Sequence, residues 1–153
     1  MVCIYAGGLC SDLWKRGGLH QLFSGGLMLL HAASAILCAP NYLSYFNLLA
    51  GGSSNGYQWL RDSNLDWGQD LKPLARYLKK TASPRIALYY PWPADPAYYK
   101  IDYREVRSDE LSSPKSEIYA ISAHFLDNFK WTKQEQPFKK IGNSIFLYDL
   151  RTK

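Results

Sequence analysis

Apolar side chains recur at helical spacing over residues 66–80. Leu71 and Leu74 lie three residues apart, and further apolar positions follow on the same face of a helix. Asp66 stands where an N-cap residue is expected, and Gln69 follows three residues later, as in a capping box. The pattern therefore predicts an amphipathic helix over residues 66–80.

Apolar runs further along the chain are typical of buried β-strands. Two of them cover residues 85–90 and 117–122, and Pro91 ends the first. A last pair of runs, Ile141 and residues 144–150, flanks the dipeptide Gly142-Asn143. A two-residue turn of this composition favours a closing β-hairpin.

Short helical turns are expected between these strands, over residues 95–99 and 123–128. Helices and strands then alternate along the chain. This order predicts the α/β class, with α+β as the alternative, and a small domain built on a mixed sheet.

Residues 17–39 form a run without any charged side chain. A helix of this length would span the roughly 30 Å of hydrocarbon in a bilayer. Lys15-Arg16 precede the run and Pro40 ends it, so the pattern predicts a transmembrane helix over 17–39 with residues 1–16 in the cytoplasm. A buried helix of a soluble protein and a signal sequence remain as alternatives.

This hypothesis fixes the arrangement of the remaining chain. Residues 40–56 are predicted to be an interfacial segment that ends in a glycine-rich loop. Residues 57–153 are predicted to form the extracytoplasmic α/β domain. The predicted localisation is a single-pass protein of the cell membrane.

The composition narrows the possible partners. The chain has 153 residues, a net charge of +5 and 15% aromatic residues. Its basic residues are spread along the chain, so a nucleic-acid partner is not expected. Cys3, Cys10 and Cys38 fit neither a disulfide framework for the main domain nor the spacing of a zinc site.

The densest group of polar side chains covers residues 62–70, Asp-Ser-Asn-Leu-Asp-Trp-Gly-Gln-Asp. Its members either brace the start of a helix or bind a ligand, because a polar group buried without a partner costs a few kcal/mol. Carboxylates at a spacing of four also suggest a cation site, but the register of a calcium loop is missing, so no metal is predicted. The candidate binding residues are Asp62, Asn64, Asp66, Trp67, Gln69, Asp70, Tyr98 and Tyr99.

No catalytic constellation follows from the sequence. Ser63 lacks the glycine context of a nucleophile, and His124 is the only histidine after residue 40. Neither a phosphate-binding loop nor a dinucleotide-binding fingerprint is present, so no cofactor is predicted.

Several stretches of the chain together resemble one family. They are Pro40–Asn47, Ala50-Gly51-Gly52, Asp62–Leu71, Ala94–Tyr99, Ala120–Ala123 and Ile141–Ile145. In this order they resemble the carboxy-terminal region of bacterial glycosyltransferase family 39-like membrane proteins. These are relatives of the dolichyl-phosphate-mannose–protein mannosyltransferases.

The resemblance implies a many-pass membrane enzyme that moves a sugar from a polyprenyl-phosphate carrier to an acceptor. It implies that this chain corresponds to a small terminal domain, a truncated fragment with a structural or acceptor-positioning role. The family's catalytic acidic residue lies in an early outer loop, and no residue here corresponds to it. The expected partners are membrane lipid, the catalytic part of such an enzyme, and a polyprenyl-phosphate sugar or glycan acceptor.

A binding module without catalytic activity is the alternative hypothesis. It rests on aromatic residues crowded around three prolines, which suit stacking on sugar rings or contact with a peptide. These aromatics are Tyr89, Tyr90, Trp92, Tyr98 and Tyr99.

Overall fold

A computed structural model describes residues 2–61, 65–83, 85–90 and 94–151 of the chain. It divides into two compact units, Met1–Pro40 and Asn41–Lys153. The first unit consists of α1 (Val2–Arg16) and α2 (Gly18–Leu37), which pack against each other. Gly17 joins them with a positive φ of 69°.

The predicted transmembrane helix is wrong. Neither α1 nor α2, nor any other helix in the described part of the chain, combines the length with the apolar character that a bilayer crossing requires. The run from Gly17 to Ala39 lacks charge, but α2 carries His20, Gln21 and His31 among its apolar residues. These side chains make transfer into hydrocarbon unfavourable. The predicted single-pass membrane localisation depended on this helix and is wrong with it.

The second unit is built on a five-stranded mixed sheet with the strand order β2-β1-β3-β5-β4. A single α-helix, α3 (Leu71–Lys80), precedes its first strand. The strands are β1 (Ile86–Tyr89), β2 (Tyr103–Glu105), β3 (Ile118–Ser122), β4 (Lys139–Ile141) and β5 (Ile145–Asp149). Strand β1 runs parallel to β2 and β3, whereas β5 runs antiparallel to β3 and β4.

The unit is therefore of the α+β class, and the predicted α/β class is wrong. A parallel α/β sheet needs helical crossovers between its strands. Here the connection from β1 to β2 carries the 3₁₀ helix Pro96–Tyr99, and that from β2 to β3 carries the 3₁₀ helix Ser108–Leu111. Such short turns replace the crossover helices, although the sheet is mixed as expected.

Both faces of the sheet are buried, which explains the continuous apolar runs of its central strands. Successive residues of β3 alternate between two hydrophobic clusters, with Ile118 and Ala120 on one face and Tyr119 and Ile121 on the other. Helix α3 covers the first face. The 3₁₀ helices Ala123–Asn128 and Lys130–Lys133 cover the second, where Phe129 and Trp131 are buried.

An ion-pair network secures the loop before β3. Arg104 of β2 donates to both carboxylate oxygens of Glu110, at 2.9 and 2.7 Å, and to Glu117 at 2.9 Å. Tyr119 also donates to Glu110 at 2.6 Å. Burial by itself would raise the pKa of Glu110, but the bonds from Arg104 and Tyr119 lower that pKa to about 2. Glu110 is thus a buried but fully partnered carboxylate.

Candidate functional site

The carboxyl ends of the parallel strands form the edge of the sheet where a site is expected. After β1 the chain passes to β2 on one side and then returns to β3 on the other. Such a reversal opens a crevice outside the carboxyl ends of the strands. Because β5 is antiparallel to β3, with Ser122 opposite Ile145, the start of β5 lies at this same edge.

Asp70 connects this edge to the segment before α3. Its Oδ2 atom accepts hydrogen bonds from the backbone N–H groups of Asn143 (2.8 Å) and Ser144 (3.0 Å), and it lies 2.8 Å from Ser144 Oγ. Gly142 permits this close approach, because a Cβ atom there would stand 2.1 Å from Asp70 Cγ. The φ of Gly142, +57°, also favours glycine. Asp70 therefore holds the β4–β5 turn in place.

Asp66 occupies the centre of the same polar group. Its Oδ2 atom accepts hydrogen bonds from Tyr90 Oη and Ser144 Oγ, and its Oδ1 atom accepts from the N–H of Gly68 at 2.8 Å. Asn143 extends the group by donating from Nδ2 to Ser44 Oγ at 2.6 Å. We call Asp66, Asp70, Ser144, Tyr90, Asn143 and Ser44 the polar cluster.

Asp66 and Asp70 meet at Ser144, and this arrangement disfavours the ionised form of Asp70. Ser144 Oγ lies within hydrogen-bonding distance of both Asp66 and Asp70, yet its hydroxyl has one hydrogen to donate. Burial and the charge of Asp66 raise the pKa of Asp70, while bonds from Ser144 and Asn143 oppose the shift. Asp70 Oδ1 is buried without a hydrogen-bond partner among the described residues, which costs less for a neutral carboxyl.

The interior of the polar cluster is closed to ligands. Asp66 is 5% exposed, Asp70 1% and Ser144 0%. The described residues include no group of three His, Cys, Asp or Glu side chains that could hold a metal ion. Tyr90, a member of the polar cluster, is half-buried and also lines a cavity. The cluster therefore braces the edge of the sheet, and Tyr90 links it to that cavity.

We call this cavity, of about 500 Å³, the carboxyl-edge pocket. Its aromatic and acidic lining consists of Tyr89, Tyr90, Tyr103, Phe125, Asp95 and Glu105. Tyr89 is fixed by edge-to-face contacts with Phe125 (4.9 Å between ring centroids) and Phe129 (5.2 Å). Burial, followed by the charge of Asp66, raises the pKa of Tyr90, which keeps its hydroxyl protonated as a donor.

The structure separates the predicted site residues. Asp66 and Asp70 meet in the polar cluster, whereas Asp62 and Asn64 lie outside the described residues. Tyr98 is 80% exposed and contacts Tyr99, and neither lines the carboxyl-edge pocket.

The predicted capping box takes a different form. The helix begins at Leu71, so Asp66 is not its N-cap. Instead Gln69 Oε1 accepts from the N–H of Trp67 at 2.8 Å, and its Nε2 donates to the carbonyl of Leu65 at 3.0 Å. Trp67 lies before the helix and is 59% exposed.

Sequence reasoning missed Ser144, Glu105 and Phe125 as site residues. Ser144 follows the predicted Gly142-Asn143 turn, and that turn was the available signal for its position. Glu105 belongs to β2, a strand whose charged, half-exposed residues carry no hydrophobic pattern. Nothing local in the sequence marks Phe125 as part of a pocket.

His124 does not form a catalytic pair with its neighbour. Its Nδ1 atom lies 3.2 Å from Ser122 Oγ, which also accepts from the His124 backbone N–H at 3.4 Å. Ser122 is fully buried, so its hydroxyl cannot reach a substrate. The contact is a local cap of the following 3₁₀ helix.

Comparison with protein-family models gives no match, and neither the curated proteins nor the solved structures include one that is significantly similar to this chain. The site must therefore be interpreted from its own geometry.

Proposed function

We propose that the Asn41–Lys153 unit binds a sugar ring of a glycan acceptor in the carboxyl-edge pocket, as the acceptor-positioning domain of a glycosyltransferase. The transfer step belongs to a separate catalytic part. The observation that carries the proposal is the combination of aromatic faces and carboxylates around one cavity at the switch point of the sheet.

The shape and chemistry of the pocket suit a sugar. Its volume, about 500 Å³, lies within the range of small-molecule sites. Phe125 and the tyrosines supply apolar faces for the C–H side of a pyranose ring. Asp95 and Glu105 supply acceptors for its hydroxyl groups.

The pocket is also preorganised. Tyr90 is tied to the buried polar cluster through its hydrogen bond to Asp66, and Tyr89 is held between Phe125 and Phe129. Side chains that are already fixed lose little conformational entropy when a ligand binds. The polar cluster therefore has a supporting role in the proposed function.

The sequence motifs that resemble glycosyltransferase family 39-like proteins add the link to sugar transfer. Two of them, Asp62–Leu71 and Ile141–Ile145, include the residues that form the Asp70–Ser144 contact. A third, Ala94–Tyr99, includes Asp95 of the pocket lining. These motifs and the lining chemistry point to the same edge of the sheet.

Saturation-transfer NMR with a panel of neutral oligosaccharides tests the proposal on the full chain. We expect at least one oligosaccharide to bind and to receive saturation from the protein. Phe125→Leu removes an aromatic face while it keeps an apolar side chain. The substitution should weaken binding about fivefold, since an aromatic contact is worth about 1 kcal/mol.

Phe138→Leu is the matched control. Phe138 is 49% exposed and does not line the pocket. Its substitution should leave glycan affinity within twofold of the wild type. Absence of binding across the panel, or an equal loss in both variants, would contradict the proposal. Binding of extended peptides but of no oligosaccharide would assign the pocket to a peptide instead.

A further inference from the structure

A second cavity, of about 600 Å³, opens at the opposite edge of the sheet. Its lining includes Ala82 and Ser83, which lie shortly before β1, and Ile101 and Asp102, which precede β2. It is therefore at the amino ends of the strands, away from the carboxyl-edge pocket. We call it the basic cavity.

Four cationic side chains line the basic cavity. Lys72, Arg76 and Lys79 are separated by four and three residues along α3, so they lie on one face of that helix. Lys100 comes from the turn after the 3₁₀ helix Pro96–Tyr99. The single carboxylate of the lining is Asp102, which leaves a local net charge of +3.

These cations make no ion pair with a described residue, whereas several arginines of the unit do. Arg61 and Arg104, for example, contact carboxylates at 2.5 and 2.7 Å. Arg76, in contrast, forms no ion pair with any residue that the structure describes, and the three lysines of the basic cavity share this property. Asp102 is already 3.5 Å from Arg85. Four like charges around one cavity repel each other, and a bound anion would relieve that repulsion.

The inner surface of the basic cavity is mainly apolar. Ala75, Leu78 and Ile101 contribute to it, and Ile101 is 7% exposed. The half-buried ring of Tyr99 forms part of the wall and is held edge-to-face by Tyr98 at 5.1 Å. A ligand that fits this cavity combines an anionic group with an apolar body.

We propose that the basic cavity binds an organic phosphate, a phosphate monoester or diphosphate joined to an apolar or aromatic group. A group with two or more negative charges matches the net charge of +3 better than a single carboxylate does. The guanidinium of Arg76 can bind phosphate oxygens in bidentate fashion, and the lysines act as point charges. This inference does not depend on the proposed function, because the two cavities lie at opposite edges of the sheet.

Calorimetric titration of the full chain with phenyl phosphate at low ionic strength tests the inference. We expect saturable binding that weakens with added salt. Arg76→Gln combined with Lys79→Gln should weaken it about tenfold, through loss of two charge-assisted contacts. Lys130→Gln combined with Lys133→Gln removes the same charge outside the basic cavity, and it should change the affinity less than twofold.

Titrations with other anions test which chemical groups of the ligand are needed. Benzoate and inorganic phosphate should each bind at least tenfold more weakly than phenyl phosphate, since one lacks the second charge and the other lacks the apolar body. If the Arg76 and Lys79 variant fails to fold, Lys72→Gln combined with Lys100→Gln repeats the test with one residue from α3 and one from the turn after the 3₁₀ helix Pro96–Tyr99. No binding of phenyl phosphate, or an equal loss in the Lys130 and Lys133 control, would overturn the inference. If the protein sediments with phosphatidate vesicles but does not bind phenyl phosphate, the inference of a small organic phosphate is also overturned, in favour of a lipid-borne phosphate.

Discussion

Replacement of Asp70 by Asn should destabilise the protein at pH 7 by less than replacement by Ala does. Asn keeps the size of the side chain and an oxygen that can accept from the Asn143 and Ser144 N–H groups. It also places an NH2 group at the position of Oδ1, which is buried without a partner among the described residues, so part of the stability is lost.

Replacement of Asp70 by Ala gives the contrasting magnitude. The N–H groups of Asn143 and Ser144 would lose their acceptor, while the Ser144 hydroxyl could still donate to Asp66. A buried donor without a partner costs about 1–3 kcal/mol. Two of them should lower the free energy of unfolding by about 3 kcal/mol or more.

The pH dependence of stability provides the second test of this reasoning. Burial and the charge of Asp66 raise the pKa of Asp70 above its ordinary value of 3.8. Between 3.8 and that raised pKa the folded protein binds more protons than the unfolded chain, so stability falls as the pH rises through this interval. The Asp70→Asn variant lacks this decrease, and its stability relative to the wild type should increase over the same interval.

Urea unfolding followed by near-ultraviolet circular dichroism, from pH 3.5 to pH 7, measures all three proteins. At pH 7 the Asn variant should be more stable than the Ala variant, which has lost the acceptor of both N–H groups. If the stability of the Asn variant relative to the wild type does not increase between pH 3.8 and pH 7, the pKa of Asp70 is not raised in the folded protein. That result would refute the view that burial beside Asp66 disfavours the ionised form of Asp70.

Four further substitutions test other parts of the unit by the same unfolding measurement. Gly142→Ala should lower the free energy of unfolding by about 3 kcal/mol or more, since it strains a φ of +57° and pushes Asp70 from the turn. Gly52→Ala is the matched control. Because its φ is +73° and nothing lies within 4 Å, it should lower the free energy of unfolding by about 1 kcal/mol. Glu110→Gln should lower stability by about 3 kcal/mol at pH 7, the free-energy equivalent of a pKa change from 4.5 to about 2. The stability of the wild type should decrease as the pH falls from 4.5 towards 2, and the variant should lack this decrease. Asp127→Asn should change stability by less than about 1 kcal/mol, because its ion pair is largely exposed, and a larger effect would contradict that view.

The strands that are buried on both faces were predictable from the sequence. Residues 85–90 and 117–122 read as apolar runs because the structure packs β1 and β3 between two layers. The Gly142-Asn143 turn likewise fixed the final hairpin, β4 and β5. In contrast, β2 is an edge strand of three half-exposed or exposed residues, and it leaves no such pattern.

Two errors have a common physical origin, because a local pattern does not specify its environment. The uncharged run 17–39 indicated a membrane helix, but lack of charge is not the same as apolarity when histidine, glutamine and glycine interrupt it. Asp66 and Gln69 have the spacing of a capping box, yet Gln69 bonds within the preceding turn, and Asp66 accepts from Gly68, Tyr90 and Ser144. In the first case the other residues of the helix decided its environment, and in the second the nearby hydrogen-bonding groups decided the partners of the two side chains.

The polar cluster could be predicted only in part. The density of polar residues over 62–70 indicates that any buried members need partners. Asp70 finds them 73 and 74 residues away, at Asn143 and Ser144. No spacing rule within one segment encodes a contact of this range. The carboxyl-edge pocket depends on the strand order in the same way.

The outer strands of the sheet bear on how the unit behaves at high concentration. An open sheet edge offers unpaired N–H and C=O groups on which another chain can add a strand. Here the two edges are β2 and β4, each three residues long, with Arg104 and Glu105 on one and Lys139 and Lys140 on the other. The aggregation-prone strands β3 and β5 are thus enclosed between short, charged neighbours. Lengthening either edge with apolar residues would create a template for fibrous assembly.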